Sequence, residues 1–304
     1  MRQPPGPTLF GVVALVCALA VMGCTRRVEP GLPEVEDSTS QKSTDGAYTG
    51  ELWLPQYDLR DEAARSFSLP RRLSELSGLA MSGDGKLFAH DDEQGAIYQL
   101  EYSSGTVVKK FSLGRVTVSA DFEGIAVKDS LIFLVTSSGT IFTCTEAEND
   151  QRVSFEVYKT PLGENNDVEG LDYDTESNSL LLVCKGYPGK NLRGYKAVYA
   201  FSLDTYRLAP VPVMIIPLKD TGGGKSFNPS GIARHPVSGT YFILSADAGA
   251  IIEVDRHGAV LAQRALPRSL NRQPEGIAFA PDTSLIICND GQGKTGTLNL
   301  YPLR

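Results

Sequence analysis

Five segments of the 304-residue chain place acidic or polar side chains at fixed distances before a glycine. The glycines are Gly78, Gly124, Gly170, Gly231 and Gly276. One position before them stand Ser77, Glu123, Glu169, Ser230 and Glu275, and three positions before them Glu75, Asp121, Asp167, Asn228 and Gln273. If the segments assemble around an axis, these side chains meet at one end of it. Crowded carboxylates repel one another there unless a cation or hydrogen bonds compensate them.

Two interpretations of this acidic end follow from its oxygen chemistry. Oxygen ligands without nitrogen or sulfur suit a hard cation, so the first interpretation is a calcium site. Its ligands would be Asp121, Glu123, Asp167, Glu169 and Glu275. In the second interpretation, each carboxylate accepts backbone N–H bonds from the neighbouring repeat and so maintains the repeat itself. Calcium is the one cofactor that the sequence suggests.

The chain offers few candidates for catalysis. His90 is a candidate base, Glu169 is a second catalytic candidate, and no catalytic role is assigned beyond these two. The sequence contains neither G-x-S-x-G nor H-E-x-x-H, so it lacks the signatures of serine hydrolases and zinc proteases. Four cations would hold an anionic ligand bridged by calcium, unless they are simply solvated in loops: Lys185, Arg193, Lys225 and Arg272.

The elements that position these residues repeat with the glycines, which are 46, 46, 61 and 45 residues apart. Each glycine begins a series of short apolar runs, such as 131–135 and 241–244, separated by Gly or Asp turns. Four strands in about 45 residues is the period of a β-propeller blade. The sequence therefore predicts an all-β, five-bladed β-propeller of four-stranded antiparallel blades, whose inner strands line a central channel with the acidic residues at its mouth.

The two ends of the chain predict how the propeller closes. Only 28 residues follow Gly276, which is enough for three strands. Residues 66–70 resemble the outer strands of the other blades, so we expect this N-terminal strand to complete the fifth blade and remove a free sheet edge. Six blades are the less favoured alternative, because the roughly 15 extra residues between Gly170 and Gly231 cannot supply four strands.

The first 23 residues have the order of an export signal. Arg2 precedes an apolar run at 9–21 that is too short to span a bilayer, and Gly23 and Cys24 follow. Residues 21–24 resemble a bacterial lipobox. This predicts a signal peptide over 1–23, an acylated tether over 24–50 that starts at Cys24, and a propeller domain over 51–304. An ordinary signal peptide and an uncleaved anchor are the alternatives.

Location and partners follow from the ends, the charge and the cysteines. Thr25 stands where Asp would favour the inner membrane, so an extracytoplasmic protein anchored by lipid is expected, on the outer membrane of a Gram-negative cell.

The formal net charge of −7 has the wrong sign for nucleic acid. Cys144, Cys184 and Cys288 are an odd number in apolar runs, which predicts buried free thiols. The expected partners are the bilayer and an unknown protein or small molecule, bound by a monomer.

The five glycine starts, the segment 92–98 and the export signal together resemble the SdiA-regulated family of exported bacterial propellers, over about residues 50–304. Weaker likeness extends to phytase-like, lactonase- or esterase-like and NHL-type propellers. The resemblance implies the fold and the compartment but no catalytic residue. The function expected is a membrane-anchored propeller that binds a ligand or protein partner at its channel mouth. The alternative is a calcium-dependent hydrolase of phosphoesters or lactones.

Overall fold

The computed structural model describes residues 48–304. The predicted signal peptide, Cys24 and most of the predicted tether lie outside this range. Within it, the chain forms twenty-two strands and four short 3-10 helices. The 3-10 helices are Leu54–Gln56, Arg71–Leu73, Leu218–Asp220 and Gly224–Ser226. No helix in this range is long and apolar enough to cross a membrane.

The strands are short and follow one another closely along the chain. The first ten are β1 (Arg65–Ser68), β2 (Leu76–Met81), β3 (Leu87–Asp91), β4 (Ala96–Glu101), β5 (Thr106–Leu113), β6 (Phe122–Lys128), β7 (Leu131–Thr136), β8 (Thr140–Thr145), β9 (Arg152–Val153) and β10 (Glu156–Lys159). The other twelve are β11 (Val168–Asp174), β12 (Ser179–Cys184), β13 (Tyr195–Ser202), β14 (Arg207–Leu208), β15 (Met214–Pro217), β16 (Gly231–Arg234), β17 (Tyr241–Ser245), β18 (Ala250–Val254), β19 (Val260–Ala265), β20 (Pro274–Phe279), β21 (Leu285–Asn289) and β22 (Thr297–Tyr301).

The strands form five sheets, which confirms the predicted five-bladed propeller and excludes six blades in the described range. From the axis outward, blade one is β2-β3-β4-β5, blade two β6-β7-β8-β10, blade three β11-β12-β13-β14, blade four β16-β17-β18-β19 and blade five β20-β21-β22-β1. Two blades carry an additional strand, because β9 pairs in parallel with β5 and β15 pairs with β13. The inner strands β2, β6, β11, β16 and β20 contact one another in a closed ring.

The predicted N-terminal closure is confirmed. Strand β1 pairs antiparallel with β22, so that Arg65 lies opposite Leu300 and Ser68 opposite Thr297. Within residues 48–304 the most C-terminal strand therefore pairs with the most N-terminal one, and β22 has no unpaired edge.

A second attachment of the N-terminal segment has no counterpart in the sequence prediction. The buried carboxylate of Glu253 in β18 accepts hydrogen bonds from the backbone N–H groups of Trp53 at 3.0 Å and Leu54 at 2.8 Å. The hydroxyl of Tyr57 donates to the carbonyl oxygen of Thr283 at 2.7 Å. The segment before β1 is thus held on blades four and five by one buried charge and one buried phenol.

The core is divided into five apolar clusters, one between each pair of neighbouring blades. Because both faces of a blade are covered, its middle strands are mostly apolar, as in β12, where all six residues are buried. Cys144, Cys184 and Cys288 are free and buried in these clusters, as predicted. Burial raises the pKa of the Cys144 and Cys184 thiols to about 12.

Candidate functional site

The five repeat glycines close the axis of the propeller. A Cβ atom added to Gly124 would lie 2.7 Å from the backbone nitrogen of Leu171, and one added to Gly276 would lie 2.8 Å from the carbonyl carbon of Gly78. Gly170 and Gly231 approach the next blade in the same way. Only glycine permits this contact. The cavity left on the axis has a volume of about 10 Å³, which is room for about one water. The predicted channel is therefore a closed pit at this level.

A β-bulge in each of four inner strands aims the residue before the glycine. The register of β2, β6, β11 and β20 shifts immediately before the glycine, which leaves one extra residue outside the ladder. These extra residues are Ser77, Glu123, Glu169 and Glu275. A bulge re-aims a side chain that would otherwise follow the alternation of the strand. We call these four residues, together with Ser230 of blade four, the mouth.

The carboxyl groups of the mouth lie close enough to raise one another's pKa. Burial raises the pKa of Glu123 to about 9, and the charges of Glu169, Asp121 and Glu275 add to the effect. Burial raises the pKa of Glu275 to about 7, although a hydrogen bond from Gln273 at 2.7 Å opposes it. At neutral pH, Glu123 therefore holds a proton and Glu275 is close to half ionised. The mouth stores protons that an incoming positive charge would displace.

Lys185 supplies a positive charge to the mouth. It follows β12, and its Nζ donates a hydrogen bond to Oε1 of Glu169 at 2.9 Å. Burial raises the pKa of Glu169, while the Lys185 ammonium opposes this increase. Burial alone would lower the pKa of Lys185, but the Glu169 carboxylate outweighs it and the pKa is raised. Lys185 is thus the one of the four predicted ligand-binding cations that lies against the mouth carboxylates.

A second lysine, Lys196 of β13, lies beside the first; the sequence marks it as a cation of interest between Gly170 and Gly231, although it is not one of the four predicted ligand-binding residues. Its Nζ donates to the backbone oxygen of Lys185 and to Oδ1 of Asn228 at 2.8 Å. Burial lowers the pKa of Lys196. Asn228 also donates from Nδ2 to Asp247 at 2.7 Å. The sequence signal for Lys196 is a lysine within the apolar run 195–202, which only a polar partner in the fold makes tolerable.

The residues three positions before the glycines form the outer edge of the mouth. Asp121 accepts a hydrogen bond from the hydroxyl of Ser137 at 2.5 Å. The backbone oxygen of Asp167 accepts from the N–H of Lys185 at 2.7 Å, and Asp167 has a left-handed φ of 52°. These interactions join the start of each inner strand to the end of the strand beside it, within one blade.

Ser230 differs from the glutamates in what it binds. Its hydroxyl donates to the backbone oxygen of Pro274 in blade five at 2.7 Å and accepts from the N–H of Ala246 at 3.2 Å. This is the interblade backbone bonding of the second sequence interpretation, here made by a hydroxyl. Glu169 and Glu275 instead bond to the side chains of Lys185 and Gln273 in their own blades.

The other predicted residues lie elsewhere. Arg193, Lys225 and Arg272 are exposed, and among residues 48–304 none of them forms an ion pair with an acidic residue. His90 is fully buried in β3 against Gly78, where its Nδ1 lies 3.1 Å from the backbone oxygen of Asp91. Burial lowers the pKa of His90 to about 4, so the ring is neutral at physiological pH.

The donor set of the mouth suits an ammonium group. Glu169 already binds one ammonium, that of Lys185, and Glu123 holds a proton at neutral pH. In the part of the chain that the structure describes, no three His, Cys, Asp or Glu side chains converge as a group that could hold a metal ion.

Comparisons with known proteins agree with the fold. The chain matches the SdiA-regulated family over residues 50–290. Among proteins with curated descriptions, none matches the sequence. The glutaminyl cyclase of Myxococcus xanthus superposes with a TM-score of 0.54 at 15% identity, covering 79% of this chain and 96% of that one. The PQQ-bound aldose sugar dehydrogenase of Streptomyces coelicolor gives 0.50 at 13% identity, covering 78% and 98%. At these identities the likeness shows the propeller fold alone.

Proposed function

We propose, for a chain that belongs to the SdiA-regulated family, that it binds a small, positively charged organic ligand at the mouth. In this proposal the chain is an exported lipoprotein, held on the membrane by an acylated Cys24, and the propeller is its binding domain. The proposal refines the expectation of a ligand or protein partner at the channel mouth, and it assigns no catalysis.

The observation that carries the proposal is the Lys185–Glu169 pair. It is an ammonium group already seated on a mouth carboxylate, at 2.9 Å, in a pit that the glycine ring closes from below. Glu123 and Glu275, both partly buried carboxyls of raised pKa, line the axial cavity, which has room for only about one water. In this proposal the ligand places a single ammonium group against these two carboxyls, and the rest of the ligand lies outside the cavity. A ligand amine would take the place of the protons on these two groups. A buried carboxylate that has lost its proton is unfavourable unless it is paired. A cation with hydrogen-bond donors supplies that pairing.

A calcium-dependent hydrolase was the alternative expectation from the sequence. It needs several ionised carboxylates free for one cation, together with a positioned base. In the structure Lys185 binds one of these carboxylates, and the imidazole of His90 is buried behind Gly78. These contacts favour an amine over calcium, and calcium enters the experiments as the competing ligand.

Calorimetric titration tests the proposal. Putrescine, spermidine and calcium chloride are titrated into the purified chain at pH 7.5, in PIPES and in TES, two buffers that neither precipitate calcium nor carry a primary amine. Because the mouth carboxyls give up protons when a cation binds, the heat of amine binding should differ between buffers of different ionisation enthalpy. The double variant Glu123→Gln with Glu275→Gln should lose both the binding and the buffer dependence. Replacement of the exposed Glu62 by Gln is the matched control.

Two results would oppose the proposal. One is the absence of amine binding to the wild-type chain at millimolar concentration. The other is amine binding that persists in the double variant, since the ligand would then occupy another site.

The membrane attachment is tested separately. Cys24→Ser removes the acylation site, and about two or three acyl chains supply the anchoring energy in this proposal, because a single chain anchors only marginally. The variant should therefore appear in the soluble fraction or as an uncleaved precursor. Extraction that requires detergent to the same extent as the wild type would contradict the lipid anchor.

A further inference from the structure

A cleft of about 460 Å³ opens at the outer rim between blades two and three, far along the blades from the mouth. Strands β7, β8 and β10 form one wall, and Tyr206 of the β13–β14 hairpin forms the other. Its volume is within the range of small-molecule sites. We call it the rim cleft.

Tyr206 occupies a backbone position that favours glycine. Its φ is 52°, and its N–H bonds to the carbonyl oxygen of Ser202 at 2.8 Å. The same hairpin in blade one has Gly105, with φ of 70° and the same bond to Glu101, and the hairpin of blade four has Gly258. A bulky residue in this conformation is strained, which has an energetic cost. Two blades avoid this cost and blade three does not.

The strained turn places the ring of Tyr206 against blade two. The ring stacks on Tyr158 of blade two, with centroids 4.9 Å apart and planes inclined by 19°. The hydroxyl of Tyr158 donates to Glu156 at 2.6 Å, which fixes that ring in turn. Tyr206 nevertheless remains 49% exposed. The turn therefore presents a rigid aromatic surface at the opening of the rim cleft.

The wall of the rim cleft contains an unsatisfied hydroxyl. Oγ1 of Thr143 is buried and has no hydrogen-bond partner among the described residues. Leaving such a group unpaired is destabilising. The described residues that line the cleft include no Lys, Arg or His, so nothing there would compensate a phosphate or a carboxylate. The remaining polar groups are hydroxyls and the Glu156 carboxylate.

We infer that the rim cleft binds a neutral saccharide ring. An aromatic surface packs on the C–H face of a sugar, and the hydroxyls and carboxylate of the wall match its hydroxyl groups. Thr143 is partly exposed at the cleft, and a rotation of its side chain about χ1 would bring its covered hydroxyl to a sugar there, which would supply the hydrogen-bond partner that the described residues do not. The site is independent of the mouth, since it shares no residue with it.

Saturation-transfer NMR on the purified protein tests this inference, with glucose, N-acetylglucosamine and maltose as probes. Tyr206→Gly is the informative variant, because glycine suits the left-handed turn and the fold should be retained or slightly stabilised. Transfer to the bound sugar should fall at least about fivefold, as expected for the loss of one aromatic contact. Thr143→Val keeps the shape of the wall and should weaken transfer without lowering the melting temperature.

Tyr187→Ala, at an exposed tyrosine outside the cleft, is the control and should bind like the wild type. The inference is overturned if none of the three sugars shows saturation transfer. It is equally overturned if Tyr206→Gly and the wild type give the same transfer, because the sugar would then bind elsewhere.

Discussion

The Nζ atom of Lys185 lies 2.9 Å from Oε1 of Glu169, across the first hairpin of blade three. The two residues are sixteen positions apart in the chain, but β11 pairs with β12 so that Val168 lies opposite Cys184. Because the strands are antiparallel, Lys185 lies opposite Asp167 rather than Glu169, and the β-bulge at Glu169 together with the long lysine side chain brings the two charges into contact. Blade three carries its own compensating cation at the point where the propeller gathers its carboxylates.

Removal of this cation should destabilise the protein. Lys185→Met leaves the Glu169 carboxylate largely buried without its partner, and we expect a loss of about 1–2 kcal/mol, since Lys185 is itself 37% exposed. Urea unfolding at pH 7 measures this. Lys190→Met, in the same loop but exposed, should change the free energy of unfolding by less than about 0.5 kcal/mol. The double variant Lys185→Met with Glu169→Gln should recover most of the loss; equal losses in the single and double variants would mean that the pair is not coupled.

The protonated state of Glu123 predicts a pH dependence of stability. Its pKa is about 9 in the folded chain and 4.5 in the unfolded one, so the folded state holds the proton that the unfolded state has lost. Stability from this group is complete below pH 4.5 and is lost as the pH rises toward 9. Between pH 7 and 8 the wild type should lose about 1 kcal/mol, and Glu123→Gln should lose less. Thermal melting across this interval measures the effect, with Glu62→Gln as the control. The assignment would be contradicted if the stabilities of the wild type and of Glu123→Gln fell with the same slope.

The glycine ring should tolerate no side chain. In Gly170→Ala, the new Cβ would lie 2.9 Å from Cγ1 of Val183 and 3.1 Å from the Cα of Gly231, both in the packed centre. We expect a destabilisation of about 1–3 kcal/mol or more. Gly163→Ala is the matched control, because no atom lies within 4 Å of its added Cβ. Similar unfolding midpoints for the two variants would show that the ring is not closely packed.

The N-terminal closure should matter more than the chain before it. Deletion of residues 51–70 removes β1 and the amides bound by Glu253, and exposes the edge of β22. It should lower the melting temperature far more than deletion of residues 25–45 does. Equal melting temperatures for the two truncations would contradict a stabilising closure.

The sequence was sufficient to predict the architecture because the propeller repeats the same local requirements. Glycine must recur where the inner strands meet, and two covered sheet faces require apolar runs. A single sequence therefore shows the period of about 45 residues. The strand at 66–70 could be assigned to blade five because blade five was one strand short. These are consequences of packing that every blade must satisfy.

The mouth was predicted only in part. The carboxylates were found because they recur with the glycine, whereas Lys185 was one of four cations that spacing alone could not separate. Lys196 stood out as a cation but could not be placed beside Lys185, and the attachment of Trp53 to Glu253, 200 residues apart in the chain, was missed. Such partners depend on hairpin register and on contacts between distant segments. Neither leaves a periodic pattern in the sequence.

The most direct test of the central claim is the melting temperature of the wild type and of Glu169→Gln at pH 7.5. It is measured in a chelator alone, in chelator with spermidine, and in millimolar calcium. A ligand at a hundredfold excess over its Kd stabilises the folded state by about 2.7 kcal/mol. We predict that spermidine raises the melting temperature of the wild type, that calcium does not, and that Glu169→Gln is less stable in every condition. A calcium-dependent increase in the wild type that Glu169→Gln abolishes, with no effect of spermidine, would contradict an amine-binding mouth and support a metal site in its place.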